Sequence, residues 1–238
     1  KAFKKSVGLN GVGIKAVNAL SVHFEVTVWR EGQTKKVSYS HAKLLAETEA
    51  SPYEGPSGTQ VTFRPDSTLF LNYEFRDEYV FLNTGLTIIY NGKRYNSKNG
   101  LVDLLAENMS SDPLYAPIHL KGEDIEVVIT HANQYGEEFY SFVNGQNTTQ
   151  GGTHLTAFRE VIARVIKDFF NKNFEYGDIR SGIVAAISIK VEEPVFESQT
   201  KTKLGSRDMG PDGPTILKFV GDYLGRELDL YLHQHSEE

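Results

Sequence analysis

The chain has 238 residues, 39% apolar and 24% charged, with 12 Tyr and 14 Phe, enough apolar material for one large core or two modest ones. A formal charge of -6 argues against a surface that grips a nucleic-acid backbone throughout, so any DNA contact must be local. The lack of cysteine removes disulfides, thiolate nucleophiles and cysteine-type zinc sites. It suits a reducing cytoplasm, and with no apolar run near the ~20 residues that cross a bilayer, a cytoplasmic chain with no membrane role is expected.

In chain order, Lys1 to Ser6 is a basic opening with no apolar signal segment behind it. The chain starts without Met and runs at once into Gly8-Leu9-Asn10-Gly11-Val12-Gly13, which reads as a piece of a longer protein. That glycine run lacks the Lys-Ser/Thr of a Walker A loop, and no strand precedes it as a dinucleotide fingerprint requires. Its glycines still let backbone N–H groups approach an anion ahead of a helix predicted from Gly13 to Ser21 by Ile14, Val17 and Leu20. The same residues also describe a plain glycine turn.

Alternation predicts strands at His23 to Trp29 and Lys36 to Ser40 around a Glu31-Gly32 turn, then Gln60 to Arg64. A helix is expected over Tyr73 to Leu82, followed by a hairpin of Leu86 to Tyr90 and Arg94 to Asn96 around Asn91-Gly92. A polar stretch at Asn96 to Gly100 marks a domain boundary, and the pattern restarts with a helix at Leu101 to Asn108. Strands follow at Ile125 to Thr130, Phe139 to Val143 and Ile183 to Val191, with a long helix at His154 to Phe170 that Thr153 would cap. A breaker-rich loop at Gly205 to Pro214 leads into a final amphipathic helix.

The residues that could carry chemistry are few. Gln199-Thr200-Lys201-Thr202-Lys203 is a loop that could bring a movable cation and an orienting amide to a phosphate, or simply be a solvated cationic loop. Thr59, at a strand start, could bond a base edge. His233 and His235 do not make a metal site, and Glu123, Asp124, Glu137 and Glu138 show no acid and base pair.

Val7 to Gly13 running into Ala16-Val17-Asn18-Ala19-Leu20-Ser21 resembles the third ATP-binding motif of the type IIA DNA topoisomerase B subunits, those of bacterial gyrase and topoisomerase IV. Gly58-Thr59-Gln60-Val61-Thr62-Phe63-Arg64-Pro65 and Phe81-Leu82-Asn83-Thr84-Gly85 are similar to the family's next signatures. Asn144 through Gly151-Gly152-Thr153-His154 to Phe158-Arg159, then Asp178-Ile179-Arg180, then Pro194 to Leu204, complete the order. Departures are Asn10, where the family usually has His, and Ser181-Gly182, where it has Glu-Gly.

The resemblance implies an α+β fold: the C-terminal portion of a GHKL ATP-binding domain over residues 1–100, then a transducer domain like the second domain of ribosomal protein S5 over 101–238. It implies ATP-binding residues Gly8, Leu9, Asn10, Gly11, Val12, Gly13, Ile14, Thr59, Gln199 and Lys201, with the last two reading the γ-phosphate. It further implies ATP and Mg2+ as cofactors, a homodimer of B subunits in a heterotetramer with the A subunit, DNA as substrate, and coupling of ATP binding to dimer closure and strand passage. The family's general-base Glu, its Mg2+-binding Asn and its adenine-binding Asp precede the third motif, so no catalytic or metal residue is expected here and hydrolysis by these residues alone is not. The stretch Leu9 to Val17 looks more like topoisomerase IV than gyrase, whose B subunit is the alternative. A non-catalytic transducer or dimerisation module is the alternative from another class. Exposed strand edges and apolar faces are expected to drive non-native self-association.

Overall fold

The computed structural model describes residues 5, 11–73, 79–90 and 92–236. It divides into two compact units, residues 8–76 and residues 77–238 together with 1–7.

The first unit begins with α1 (Gly13–Ala19), followed by β1 (Ser21–Arg30), β2 (Gln33–Ser40), β3 (Lys43–Glu47), β4 (Ser51–Pro52) and β5 (Gly58–Pro65). Its antiparallel sheet has the order β3-β2-β1-β5, with β4 pairing β2. Glu31 and Gly32 both have positive φ, at 55° and 73°, as a two-residue hairpin turn between right-twisted strands requires. Pairing puts Leu44, Tyr39, Phe24 and Phe63 in one row across the four strands, and Val37, Val26 and Val61 in another. Phe24 is buried, yet Leu44, Val61 and Phe63 are 56%, 42% and 38% exposed. Much of the apolar surface of this sheet is therefore open to water.

The second unit contains α2 (Tyr79–Leu82), the hairpin β6 (Thr87–Tyr90) and β7 (Lys93–Asn96), α3 (Leu101–Asn108), β8 (Ile118–Gly122), β9 (Ile125–His131), β10 (Glu138–Val143) and β11 (Gln146–Asn147). Next come α4 (Thr153–Phe170), α5 (Tyr176–Arg180), β12 (Ile183–Ile189) and α6 (Ile216–Gln234). The sheet runs β11-β10-β12-β9-β8, with β10 and β12 parallel and the other pairs antiparallel. Ile125, Val127 and Ile129 of β9 and Ile183, Ala185 and Ile187 of β12 face the core built with α4 and α6. The alternate residues Val128, Val184 and Ala186 face a second core with Leu101, Leu104, Leu105, Val80 and Phe81. A strand buried on both faces gains nothing from polar alternation, so Ile183 to Ile189 reads as a nearly unbroken apolar run.

Of the helix expected over Tyr73 to Leu82, Tyr79–Leu82 is helical, Tyr73 is not, and residues 74–78 lie outside the described residues. Asn91 of the expected hairpin turn also lies outside it. Residues 79–108 pack with the second unit, so the compact-unit division falls before the polar stretch at 96–100. Asp103 fixes the entry to α3: its carboxylate accepts from Ser97 Oγ at 2.7 Å, Asn99 N at 3.0 Å, Asn99 Nδ2 at 2.9 Å and Lys98 N at 3.2 Å. Burial pushes this carboxyl up, but those donors outweigh it and hold it below the ordinary range.

Candidate functional site

The expected site residues fall in both units. Of the glycine run, Gly8, Leu9 and Asn10 lie outside the described residues. Gly11 has φ 63°, with no atom of the described residues near the position of a Cβ, Val12 is the N-cap position, and Gly13 and Ile14 begin α1. That helix start has no side-chain cap and no acidic residue in its first turn. Thr59 is exposed, the second residue of β5, opposite Val28 of β1.

In the second unit, residues 194–207 form a strap closed on itself. Val195 O accepts from Gly205 N at 2.8 Å and Ser206 N at 3.1 Å, Val195 N donates to Ser206 Oγ at 2.7 Å, and Glu197 N donates to Lys203 O at 3.0 Å. At the tip, Lys201 N donates to Ser198 O at 3.0 Å, enclosing exposed Gln199 in a tight turn. Lys201 itself has φ 57°, a left-handed conformation uncommon for a residue with a Cβ.

The returning limb of the strap is zipped to residues 150–153. Gln150 N donates to Thr202 O at 2.9 Å, Leu204 N to Gly151 O at 3.0 Å and Thr153 N to Leu204 O at 3.3 Å. Thr153 Oγ1 donates to Ser206 O at 2.7 Å. Thr153 is thus not the cap of α4; Gly152 holds that position without a side-chain cap bond, and the threonine hydroxyl is spent on the strap. Gly152 sits at φ 130°, and a Cβ there would meet Leu204 O at 2.4 Å and Leu204 N at 2.6 Å. Only glycine allows this approach.

Behind the strap, His154 is fully buried. Thr148 Oγ1 donates to Ser141 O at 2.7 Å and accepts from His154 Nε2 at 3.0 Å, while Nδ1 is buried without a hydrogen-bond partner. Burial without a counter-charge pushes this imidazole down to about 4 from 6.5, so it is neutral at pH 7. Among the described residues no three His, Cys, Asp or Glu side chains lie together as a metal site.

A family model described as DNA gyrase B matches residues 97–238. The chain belongs to the DNA gyrase B family. It is 46% identical over 235 residues to the B subunit of DNA topoisomerase 4 from Borreliella burgdorferi, covering 94% of this chain and 39% of that protein. It is 35% identical over 259 residues to the B subunit of DNA gyrase from Eisenibacter elegans, covering 93% of this chain and 54% of that protein. The chain thus spans between about two fifths and a little over half of these two curated relatives. The 43K ATPase domain of Thermus thermophilus gyrase B, solved with an aminocoumarin, superposes with a TM-score of 0.71 at 27% identity, over 99% of this chain and 70% of that one. The α+β fold expected of a gyrase B-like ATPase region is therefore the fold observed.

Several of the gyrase B-like signatures have structural work in this chain. Asn144 and Gly145 have φ 51° and 81°, the two-residue turn between β10 and β11. The Asn144 side chain also accepts from Val191 N at 2.7 Å and donates to Val191 O at 2.8 Å, tying that turn to the chain leaving β12. Arg180, of the Asp178-Ile179-Arg180 signature, donates to Glu137 at 2.9 Å, and Arg159 donates to the other carboxylate oxygen at 2.8 Å. Burial raises the Glu137 carboxyl, but the two guanidinium groups outweigh it and hold it low. The sequence pattern showed Glu137 only as one of several scattered acids. It also gave no sign of Gln150.

Proposed function

We propose that this chain is the later part of the ATP-binding and transducer region of a type II DNA topoisomerase B subunit, of the topoisomerase IV kind. Residues 1–100 are read as the end of the GHKL ATP-binding domain and 101–238 as the transducer. Gly8, Leu9, Asn10, Gly11, Val12, Gly13 and Ile14 surround the triphosphate, Thr59 serves the adenine side, and Gln199 and Lys201 read the γ-phosphate. ATP binding is thereby coupled to closure of a B-subunit homodimer and passage of DNA, with the A subunit completing a cytoplasmic heterotetramer. Mg2+ is taken as the nucleotide's companion, held by ligands other than the described residues. The 46% identity to a topoisomerase 4 protein, against 35% to a gyrase protein, supports the topoisomerase IV assignment.

The observation that carries this reading is the strap: a cationic, amide-bearing tip at Gln199 to Lys201 held by a backbone ladder to the body of its unit. A contact that exists only while the γ-phosphate is present can bias a two-state arrangement, and disappears on hydrolysis. The test is calorimetric titration of the intact subunit and its Lys201→Ala variant with a non-hydrolysable ATP analogue and with ADP. Loss of a charge-assisted hydrogen bond should weaken the analogue by at least about ten-fold and leave ADP unchanged. Equal effects on both nucleotides would remove Lys201 from the γ-phosphate. With the A subunit added, decatenation without negative supercoiling is the expected activity, and supercoiling would make the protein a gyrase.

A further inference from the structure

We infer that Gln150 is a positioning residue for the γ-phosphate-reading tip, a role carried by its side chain and resting on the function proposed above. The ladder between 150–153 and 202–204 uses main-chain atoms at every rung, so most of it is indifferent to side-chain identity. Gln150 is its last rung, one residue from Lys201 in register, because Gln150 N donates to Thr202 O at 2.9 Å. Its side chain adds a second attachment there: Thr202 Oγ1 donates to Gln150 Oε1 at 3.1 Å.

The hydroxyls continue inward from that attachment. Thr202 Oγ1 lies 3.4 Å from Thr200 Oγ1, which lies 2.6 Å from Ser198 Oγ, so the chain Gln150–Thr202–Thr200–Ser198 crosses the whole turn that encloses Gln199 and Lys201. The Lys201 backbone is in the left-handed region, which a neighbouring constraint must hold against the extended alternatives. Gln150 supplies that constraint from outside the strap, by its main chain and its side chain together.

Gln150 is exposed, so its replacement leaves no buried group unpaired and does not threaten folding. Its chemistry also sets which substitutions preserve the role. Thr202 donates, so the requirement at 150 is an acceptor: glutamate satisfies it and leucine of similar size does not.

The experiment compares the intact subunit with Gln150→Leu, Gln150→Glu and Lys201→Ala, reading by calorimetry the ratio of affinities for a non-hydrolysable ATP analogue and for ADP, with the melting temperature alongside. A tip freed at one hydrogen bond should lower that ratio about five-fold in Gln150→Leu, with the melting temperature unchanged, and Gln150→Glu should restore it. A merely structural role would move the melting temperature and both affinities together. If Gln150→Leu keeps the unaltered ratio while Lys201→Ala loses it, Gln150 does not position the tip and the γ-phosphate reading stands. If Lys201→Ala also keeps the ratio, the reading of the tip fails and this inference falls with it.

Discussion

Replacing Gly152 by alanine should destabilise the second unit far more than its unfavourable backbone conformation alone would. The Gly152 conformation, φ 130° and ψ -164°, is one that residues with a Cβ essentially avoid, at a cost of roughly 1–3 kcal/mol. The added methyl would also lie 2.4 Å from Leu204 O and 2.6 Å from Leu204 N, backbone atoms that cannot rotate away as a side chain could. Separation of the segments breaks the bonds from Leu204 N to Gly151 O and from Thr153 N to Leu204 O, each worth about 1 kcal/mol. The sum is roughly 3–5 kcal/mol, or about 10 °C in a unit of this size. Gly136, in the same unit, also has positive φ, at 84°, but open space around it. Gly136→Ala should therefore cost only the conformational part, about 1–2 kcal/mol. Thermal unfolding of both variants by calorimetry separates strain from clash. A Gly152→Ala protein melting within ~3 °C of Gly136→Ala would refute the reasoning, because the strap would then peel from residues 150–153 at almost no cost.

Acid sensitivity should carry the signature of His154, whose imidazole falls to about 4 in the fold from 6.5. The unfolded chain binds the proton first, so stability is lost as pH falls from about 6.5 to about 4, by about 3 kcal/mol in all. Denaturant unfolding across that range should show the advantage of the native protein over His154→Phe shrinking by that amount, whereas a constant difference would clear His154 of any part in acid unfolding. The open apolar surface at Leu44, Val61 and Phe63 should make the 238-residue chain self-associate, with a mass by light scattering that rises with concentration and falls in Leu44→Lys/Val61→Lys. A concentration-independent monomer would show that the exposed rows are too small or too broken to associate.

The parts of the fold legible in the sequence are those where one physical rule acts alone. The two-sided burial of β12 wrote an apolar run, α4 and α6 wrote helical stripes, and the Glu31-Gly32 turn wrote the glycine its positive φ needs. Elements that answer to other rules left no such mark. All five residues of β3, Lys43 to Glu47, are exposed and show no period of two, and its existence depends on the free edge of β2. At five residues α5 is too short for a stripe.

The candidate site could be proposed from residue types, but how those residues are held could not be read from them. Gly151-Gly152 read only as the entry to a helix, because what approaches it is Leu204, some fifty positions on, and no spacing rule spans that interval. The same gap misled the reading of Thr153: beside a helix start a threonine is most simply a cap, yet here its hydroxyl has a carbonyl at Ser206 to satisfy, and the cap position passes to a glycine. Gln150 was silent because an exposed glutamine carries no signal of its own. Its meaning comes from Thr202, whose hydroxyl is the first of the Thr202, Thr200 and Ser198 set that lines the turn around Lys201. Alternate hydroxyls at 198, 200 and 202 would serve no purpose in a solvated cationic loop, where water satisfies each one. Linked to an acceptor outside the strap, they hold the Lys201 backbone in place, and on the function proposed above this lowers the ordering entropy that phosphate binding would otherwise have to overcome.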